Sequence, residues 1–276
     1  MVKVLQDKHP VGNGKKPDRR KSDGYYIDGY LQGNLDHVFK QVTKKDYDGF
    51  ILMTGREGFG KSTLAMQIAC YLDKDFSVDK VVFTANQFQQ ATEQAKRFSC
   101  IVFDETMGFL GSRGATSKFN RMLIKIMSEM RSKNLFIILC IPNFFEMDKY
   151  PAIHRSTGLI HINKRGSFGS YDYKKKKNLY LQGKKFYEYK VAPSFIGRFM
   201  SYFPIDKVAY EKKKQEAINE YQSSEIKENV WKNQRNLMIS NAITKKLMST
   251  SEIVELLSIS KQYVGQITNG VENGSK

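Results

Sequence analysis

Short apolar runs alternate along the chain with stretches whose apolar residues recur at helical spacing. Phe50-Ile51-Leu52-Met53 is long enough for a buried strand, and Leu64-Ala65-Met66-Gln67-Ile68-Ala69-Cys70-Tyr71-Leu72 carries its apolar side chains on one helical face. Lys80–Thr84 predicts a second strand, and residues 86–96 have helix-forming composition. Cys100-Ile101-Val102-Phe103 predicts a third strand. Residues 119–131 place Met122, Ile126, Met127 and Met130 near one face of a helix, and a methionine stripe of this kind reads as core. Leu135–Ile141 predicts a fully buried strand that stops at Pro142-Asn143. Strands alternating with helices in this way define an α/β domain with a mainly parallel sheet covered by helices. The pattern assigns nothing to Tyr25–Gly49.

Beyond residue 163 the pattern changes. Period-two patches at Leu179–Leu181 and Phe186–Tyr189, separated by Gln182-Gly183-Lys184-Lys185, predict a basic β-hairpin. Residues 205–246 are rich in Lys and Glu with spaced apolars and predict a helical connector, in which Trp231 packs rather than stacks on bases. Ser249 and Glu252 form a capping-box pattern ahead of Ile253, Leu256 and Leu257. Leu257–Ser260 turns, Ser260 caps again, and Val264 and Ile267 hold a second helix ended by Asn269-Gly270. This resembles a helix-turn-helix, whose second helix would present Lys261, Gln262, Tyr263 and Gln266 to DNA. A helical hairpin for subunit contact is the other reading. The chain thus divides into an arm (1–24), an α/β core (25–163), a basic aromatic extension (164–204), a connector (205–246) and a small helical segment (247–276).

The chemistry sits between the first strand and the first helix. Gly55-Arg56-Glu57-Gly58-Phe59-Gly60-Lys61-Ser62-Thr63 fits G-x-x-x-x-G-K-[ST], in the strand–turn–helix context that a phosphate-binding loop needs. Its glycines let backbone N–H groups face phosphate oxygens, and the helix N-terminus adds partial positive charge. Lys61 would reach the β- and γ-phosphates, and Ser62 would ligate Mg²⁺. About forty residues on, Asp104 and Glu105 end an apolar strand, as in a Walker B motif. Asp104 would hold Mg²⁺, and Glu105 would polarise the attacking water as general base. Asn143, at the end of the last buried strand, is either a γ-phosphate sensor or a loop cap. Arg131, or else Arg155, could serve a neighbouring subunit as an arginine finger. Thr106–Asn120 predicts a glycine-containing loop, and Arg113, Lys118 and Arg121 lie in or beside it as phosphate contacts for DNA or as solvated residues.

Net charge is +17, and it is unevenly spread. Residues 1–24 carry seven Lys/Arg against three acids and residues 164–276 carry twenty-one against eleven, so the nucleotide-binding middle is close to neutral. A basic arm, the run Lys174-Lys175-Lys176-Lys177 beside Tyr and Phe, and the basic tail favour nucleic acid as partner. Cys70, Cys100 and Cys140 lie in apolar runs without metal-ligand spacing and read as buried thiols. No apolar stretch of membrane-spanning length occurs, which predicts a cytoplasmic protein without a membrane anchor.

GREGFGKST, CIVFDE, the helix ending in Arg131, LFIILCIPN and the arginine-bearing turn before Gly158–Ile162 together resemble the HerA–FtsK branch of RecA-like ATPases. That branch includes DNA translocases, viral packaging ATPases and zonula-occludens-toxin-like ATPases, and it often has Gln where this chain has Asn143. The resemblance, over about residues 45–165, implies a RecA-like fold, ATP with Mg²⁺ as cofactor, a homo-oligomeric ring and ATP-driven movement of duplex DNA. The sequence reading is therefore a DNA motor of a virus, plasmid or other mobile element, with an ATP-switched initiator, loader or partition-like regulator as the alternative.

Overall fold

The computed structural model of the chain describes residues 3–6, 24–104 and 113–272. Two compact units divide it, Met1–Ala217 and Ile218–Lys276.

The first unit is built on seven strands: β3 (Gly49–Gly55), β4 (Val81–Val82), β5 (Cys100–Asp104), β6 (Phe136–Ile141), β7 (Gly158–Lys164), β8 (Ser167–Tyr171) and β9 (Phe195–Arg198). Their order is β4-β5-β6-β3-β7-β8-β9. The five strands from β4 to β7 run parallel, and β8 and β9 add antiparallel to the β7 edge. The expected RecA-like α/β sheet is thus present, with the phosphate-loop strand β3 central and β6 inserted between it and β5. Side chains alternate along each strand. Ile51, Met53, Val102, Ile138 and Cys140 enter one core, while Phe50, Leu52, Phe103, Ile137 and Leu139 enter the other.

Helix α1 (Gly29–Lys45) and α2 (Lys61–Leu72) cover the first face. The sequence pattern leaves α1 unassigned, yet Leu31, Leu35, Val38 and Val42 fall at helical spacing and are buried. Gly29 and Gly33 dilute the signal, and the start is fixed by Asp28, whose side chain accepts from the Tyr30 and Leu31 amides. The second face is covered by α3 (Ala85–Gln94), α4 (Arg113–Ser132), a π-helical turn (Tyr150–Arg155) and α5 (Tyr173–Gly183). On α4, Ile126, Met127 and Met130 are buried as the stripe predicts, with Phe119 and Leu123. Two expectations are corrected here. Residues 113–120 are helix rather than loop, and residues 173–183 are α5 rather than the first arm of a hairpin. Asp172 caps α5 by accepting from the Lys175 amide, which starts a helix where period-two spacing alone suggested a strand. The antiparallel hairpin of this region is β7–β8 instead, turning at Arg165-Gly166.

Within the arm, β1 (Lys3–Gln6) pairs in parallel with β2 (Gly24–Ile27), and residues 7–23 lie outside the described residues.

Arg155 forms an ion pair with Asp48, and its guanidinium also donates to the Met127 carbonyl at 3.1 Å. Both side chains are largely buried, so removing one partner strands the other charge. Arg155→Met is expected to destabilise the protein by about 3 kcal/mol in urea unfolding. A loss below about 0.5 kcal/mol would place the pair among surface bridges instead.

Helix α6 (Lys207–Thr244) starts in the first unit and ends in the second. In the second unit α7 (Thr250–Leu257) and α8 (Lys261–Glu272) pack with the end of α6 around Ile239, Ile253, Val264 and Ile267. The capping box at Ser249 and Glu252 forms in full. Ser258 closes α7 in the left-handed region at φ 51°. Helix α8 runs through Asn269-Gly270 instead of ending there. Of the apolar residues expected on one face of α7, Ile253 is buried while Leu256 and Leu257 are exposed, and Trp231 is 71% exposed rather than packed. Among the described residues no helix is long and apolar enough to cross a membrane.

Candidate nucleotide site

The carboxyl ends of β3, β5, β6 and β7 lie side by side, where ligands of parallel α/β sheets bind. Register brings the motifs level: Asp104 pairs with Cys140, and Cys140 pairs with Met53. Asp104 therefore stands two strands, roughly 10 Å, from the strand that delivers Gly55-Arg56.

Glycine is required in the loop itself. Gly55, Gly58 and Gly60 have φ of 142°, 73° and 101°, and a Cβ on Gly55 would lie 2.7 Å from the Ile162 carbonyl oxygen. Gly60 opens α2, and a Cβ there would press on the Phe199 ring at 3.0 Å. Arg56, Glu57 and Gly58 are exposed, while Phe59, Gly60, Lys61, Ser62 and Thr63 are half-buried. The Lys61 ammonium donates to the carbonyls of Gly55 (2.7 Å) and Arg56 (3.2 Å). It is thereby folded over the loop it would serve.

Asp104 is buried, and its Oδ2 accepts a 2.5 Å hydrogen bond from the Tyr210 hydroxyl. The Ser62 side chain lies near the same hydroxyl. Ser62 and Asp104 thus face one region beside the phosphate loop. A hydroxyl and a carboxylate are oxygen donors that suit a hard cation such as Mg²⁺. With a nucleotide bound, Ser62 and Asp104 would hold the cation, which would supply positive charge against the phosphates. Glu105, the expected general base, lies outside the described residues, as do the side chains of Arg113 and Lys118.

Asn143 stands at the end of β6, but its amide is engaged. Its Oδ1 accepts from the Phe145 amide at 3.0 Å. This is the loop-capping arrangement. Arg131 is exposed in the last turn of α4, just ahead of the start of β6. The length of β6 puts it roughly 20 Å from the carboxyl edge of its own sheet, so it could reach a γ-phosphate only in another subunit. Arg155 is held by Asp48, as above.

Three neighbours of the site carry no motif signal. Arg165, on the β7–β8 turn, donates from Nε to the Gly58 carbonyl at 2.8 Å and sets a guanidinium at the loop. His161 stacks on Tyr189 with ring centroids 3.7 Å apart and shares a 3.0 Å hydrogen bond with Thr54. Burial and the Lys61 charge push its pKa down to about 4, so it is neutral at physiological pH. Tyr210 is the third. Only an Arg-Gly turn in the basic extension and a Tyr near a helix start were visible in sequence, and neither has a fixed spacing from the phosphate loop.

The residues expected at DNA are scattered. Lys174 and Lys177 are exposed and Lys175 half-exposed on α5, with the exposed ring of Tyr173 beside them. Lys176 is a correction: it is fully buried, and its ammonium donates to the Ser156 carbonyl and, at 2.5 Å, to the Ser156 hydroxyl. Every third or fourth position of α5 must face the core, and the run of four lysines puts one there. Arg121 is exposed on α4. In the second unit Lys261, Gln262 and Gln266 are exposed, whereas Tyr263 is half-buried and its hydroxyl accepts a 2.7 Å hydrogen bond from the Arg235 guanidinium.

Residues 36–156 match the family model described as Novel STAND NTPase 3. The matched segment carries the phosphate loop, β5 and β6. Together with the sheet order it supports a P-loop NTPase that hydrolyses a nucleoside triphosphate. No curated protein matches the chain.

Proposed function

We propose that this chain is an ATP-hydrolysing motor that acts on duplex DNA as a homo-oligomeric ring, in the cytoplasm of the host of a virus, plasmid or other mobile element. One observation carries the reading: a near-neutral nucleotide core shares its chain with exposed basic surfaces. Lys174, Lys175 and Lys177 on α5 and Lys261 with Gln262 and Gln266 on α8 supply donors suited to a phosphate backbone. Helices α7 and α8, joined through Ser258–Ser260, fit a helix-turn-helix-like reader. Arg113, Lys118 and Arg121 would add contacts from α4.

In this reading residues 55–63 wrap the phosphates, Lys61 neutralises β- and γ-oxygens, and Ser62 with Asp104 holds the cation. Glu105 takes the proton of the attacking water. Arg131 from a neighbouring subunit supplies charge to the transferring phosphoryl group. Asn143 senses the γ-phosphate only by giving up its cap. A second reading, an ATP-switched DNA-binding initiator, loader or partition-like regulator, is favoured by Tyr210, which ties the Asp104 carboxylate to the helix that continues into the α7–α8 unit.

The test is steady-state ATP hydrolysis with and without duplexes of unrelated sequence, on wild type and Glu105→Gln. Several-fold stimulation by any duplex, abolished by E105Q, supports the motor. Slow hydrolysis indifferent to DNA, with ATP changing only DNA affinity, overturns it in favour of the switch.

A further inference from the structure

We infer that Tyr210 is an internal competitor for the Mg²⁺ position: its hydroxyl holds Asp104 beside Ser62 and must leave when Mg²⁺ and nucleotide bind, releasing the start of α6. This rests on the nucleotide-site reading above and adds a regulatory contact to it.

Of the two groups that Mg²⁺ would draw on, the Tyr210 hydroxyl engages one and lies near the other. It donates to Asp104 Oδ2 at 2.5 Å, with the Ser62 side chain nearby. A cation or its bound water on that side of Asp104 would occupy the space of the phenol oxygen. Both arrangements cannot exist together. The hydrogen bond to an ionised carboxylate is of the strong class, so the competition has weight.

The ring is firmly seated. Tyr210 is 2% exposed, with Phe203 and Phe83 ring centroids 4.9 and 5.5 Å away. The helix start around it is held by an acidic cap and one lysine as well as by the core. Asp206 Oδ1 caps it by accepting from the amides of Val208 (2.9 Å) and Ala209 (3.1 Å), and the Lys213 ammonium donates to the carbonyls of Val78 and Asp79, each at 3.1 Å. The ring is buried between Phe83 and Phe203, which restricts retreat of the hydroxyl from Asp104 by side-chain rotation alone. Departure of the hydroxyl therefore displaces the first turns of α6. That helix is continuous to Thr244, so the displacement enters an element shared with the second unit.

The experiment measures affinity for ADP by calorimetry, in Mg²⁺ and in EDTA, on full-length wild type and Tyr210→Phe. The phenylalanine keeps the ring and removes only the competing hydroxyl. In Mg²⁺, Y210F is expected to bind ADP at least about tenfold more tightly than wild type, the worth of one hydrogen bond to a charged group. In EDTA the two affinities are expected to be equal. Amide exchange over residues 207–217 of wild type is expected to speed up on addition of Mg²⁺ and ADP together, and not with ADP in EDTA.

Equal or weaker Mg²⁺-dependent affinity in Y210F overturns the inference and makes the hydroxyl a support for Asp104. Unchanged exchange at 207–217 overturns the release of α6. If wild type binds ADP under neither condition, the nucleotide-site reading itself fails, which is a distinct result.

Discussion

Lys61→Met is expected to lower nucleoside triphosphate hydrolysis by roughly 10²–10³-fold while leaving the unfolding temperature within a few degrees of wild type. The expectation follows from what Lys61 touches. Among the described residues its ammonium, half-buried at the start of α2, donates to loop carbonyls, those of Gly55 and Arg56. Carbonyls can find water when the lysine is gone, so little folding energy depends on it. Phosphate oxygens carry more charge than carbonyls, and the ammonium would exchange one set of acceptors for the other. Methionine has a similar length and no charge, so the loop keeps its packing and loses the cation. Phosphate release assays on purified wild type and variant measure the effect. Retention of more than a tenth of wild-type turnover would show that the transferring phosphate is neutralised elsewhere, with Arg165 a candidate cation at the loop. A large fall in unfolding temperature would show that the lysine is structural.

The part of this molecule that could be read from sequence is the part where chemistry dictates spacing. A phosphate loop needs its glycines at fixed offsets because backbone N–H groups must converge, and the φ values of Gly55, Gly58 and Gly60 bear that need out. Strands β3, β5 and β6 were legible because strands buried on both faces must be continuously apolar. The capping box at Ser249 and Glu252 was legible because it is a local hydrogen-bond pattern. What escaped was set by distant partners. Helix α1 is amphipathic but carries Gly29 and Gly33, which lower its intrinsic helicity; burial of Leu31, Leu35, Val38 and Val42 outweighs them. Lysines 174–177 share one composition, yet helical geometry sends Lys176 inward and its neighbours outward. Tyr210 lies 106 residues from Asp104, and Arg165 lies 107 from Gly58. No periodicity or motif links such pairs, because the sheet alone brings them together.

Lys176 also gives the clearest pH dependence of stability. Burial pushes its pKa down from 10.5 to about 7, partly opposed by Asp172. In the unfolded chain the amine regains its ordinary value, so between about pH 7 and 10.5 the unfolded state binds more protons than the folded one. Stability therefore rises with pH across that window, and the penalty is at its full value below pH 7. The shift of 3.5 units sets an upper bound of about 5 kcal/mol on the change. Lys176→Met fills the same space without an ionisable group. The Ser156 carbonyl and hydroxyl lose their donor, which costs about 1–3 kcal/mol at every pH and shifts the level without altering the slope. Cys70 and Tyr189, both pushed up to about 12, contribute equally to wild type and variant and cancel in the difference. Urea unfolding of the two proteins from pH 6 to pH 9.5 is expected to show wild type gaining a few kcal/mol relative to K176M as pH rises. Parallel pH profiles would mean that Lys176 keeps its charge and its ordinary pKa in the folded protein, hydrated despite its position beneath α5.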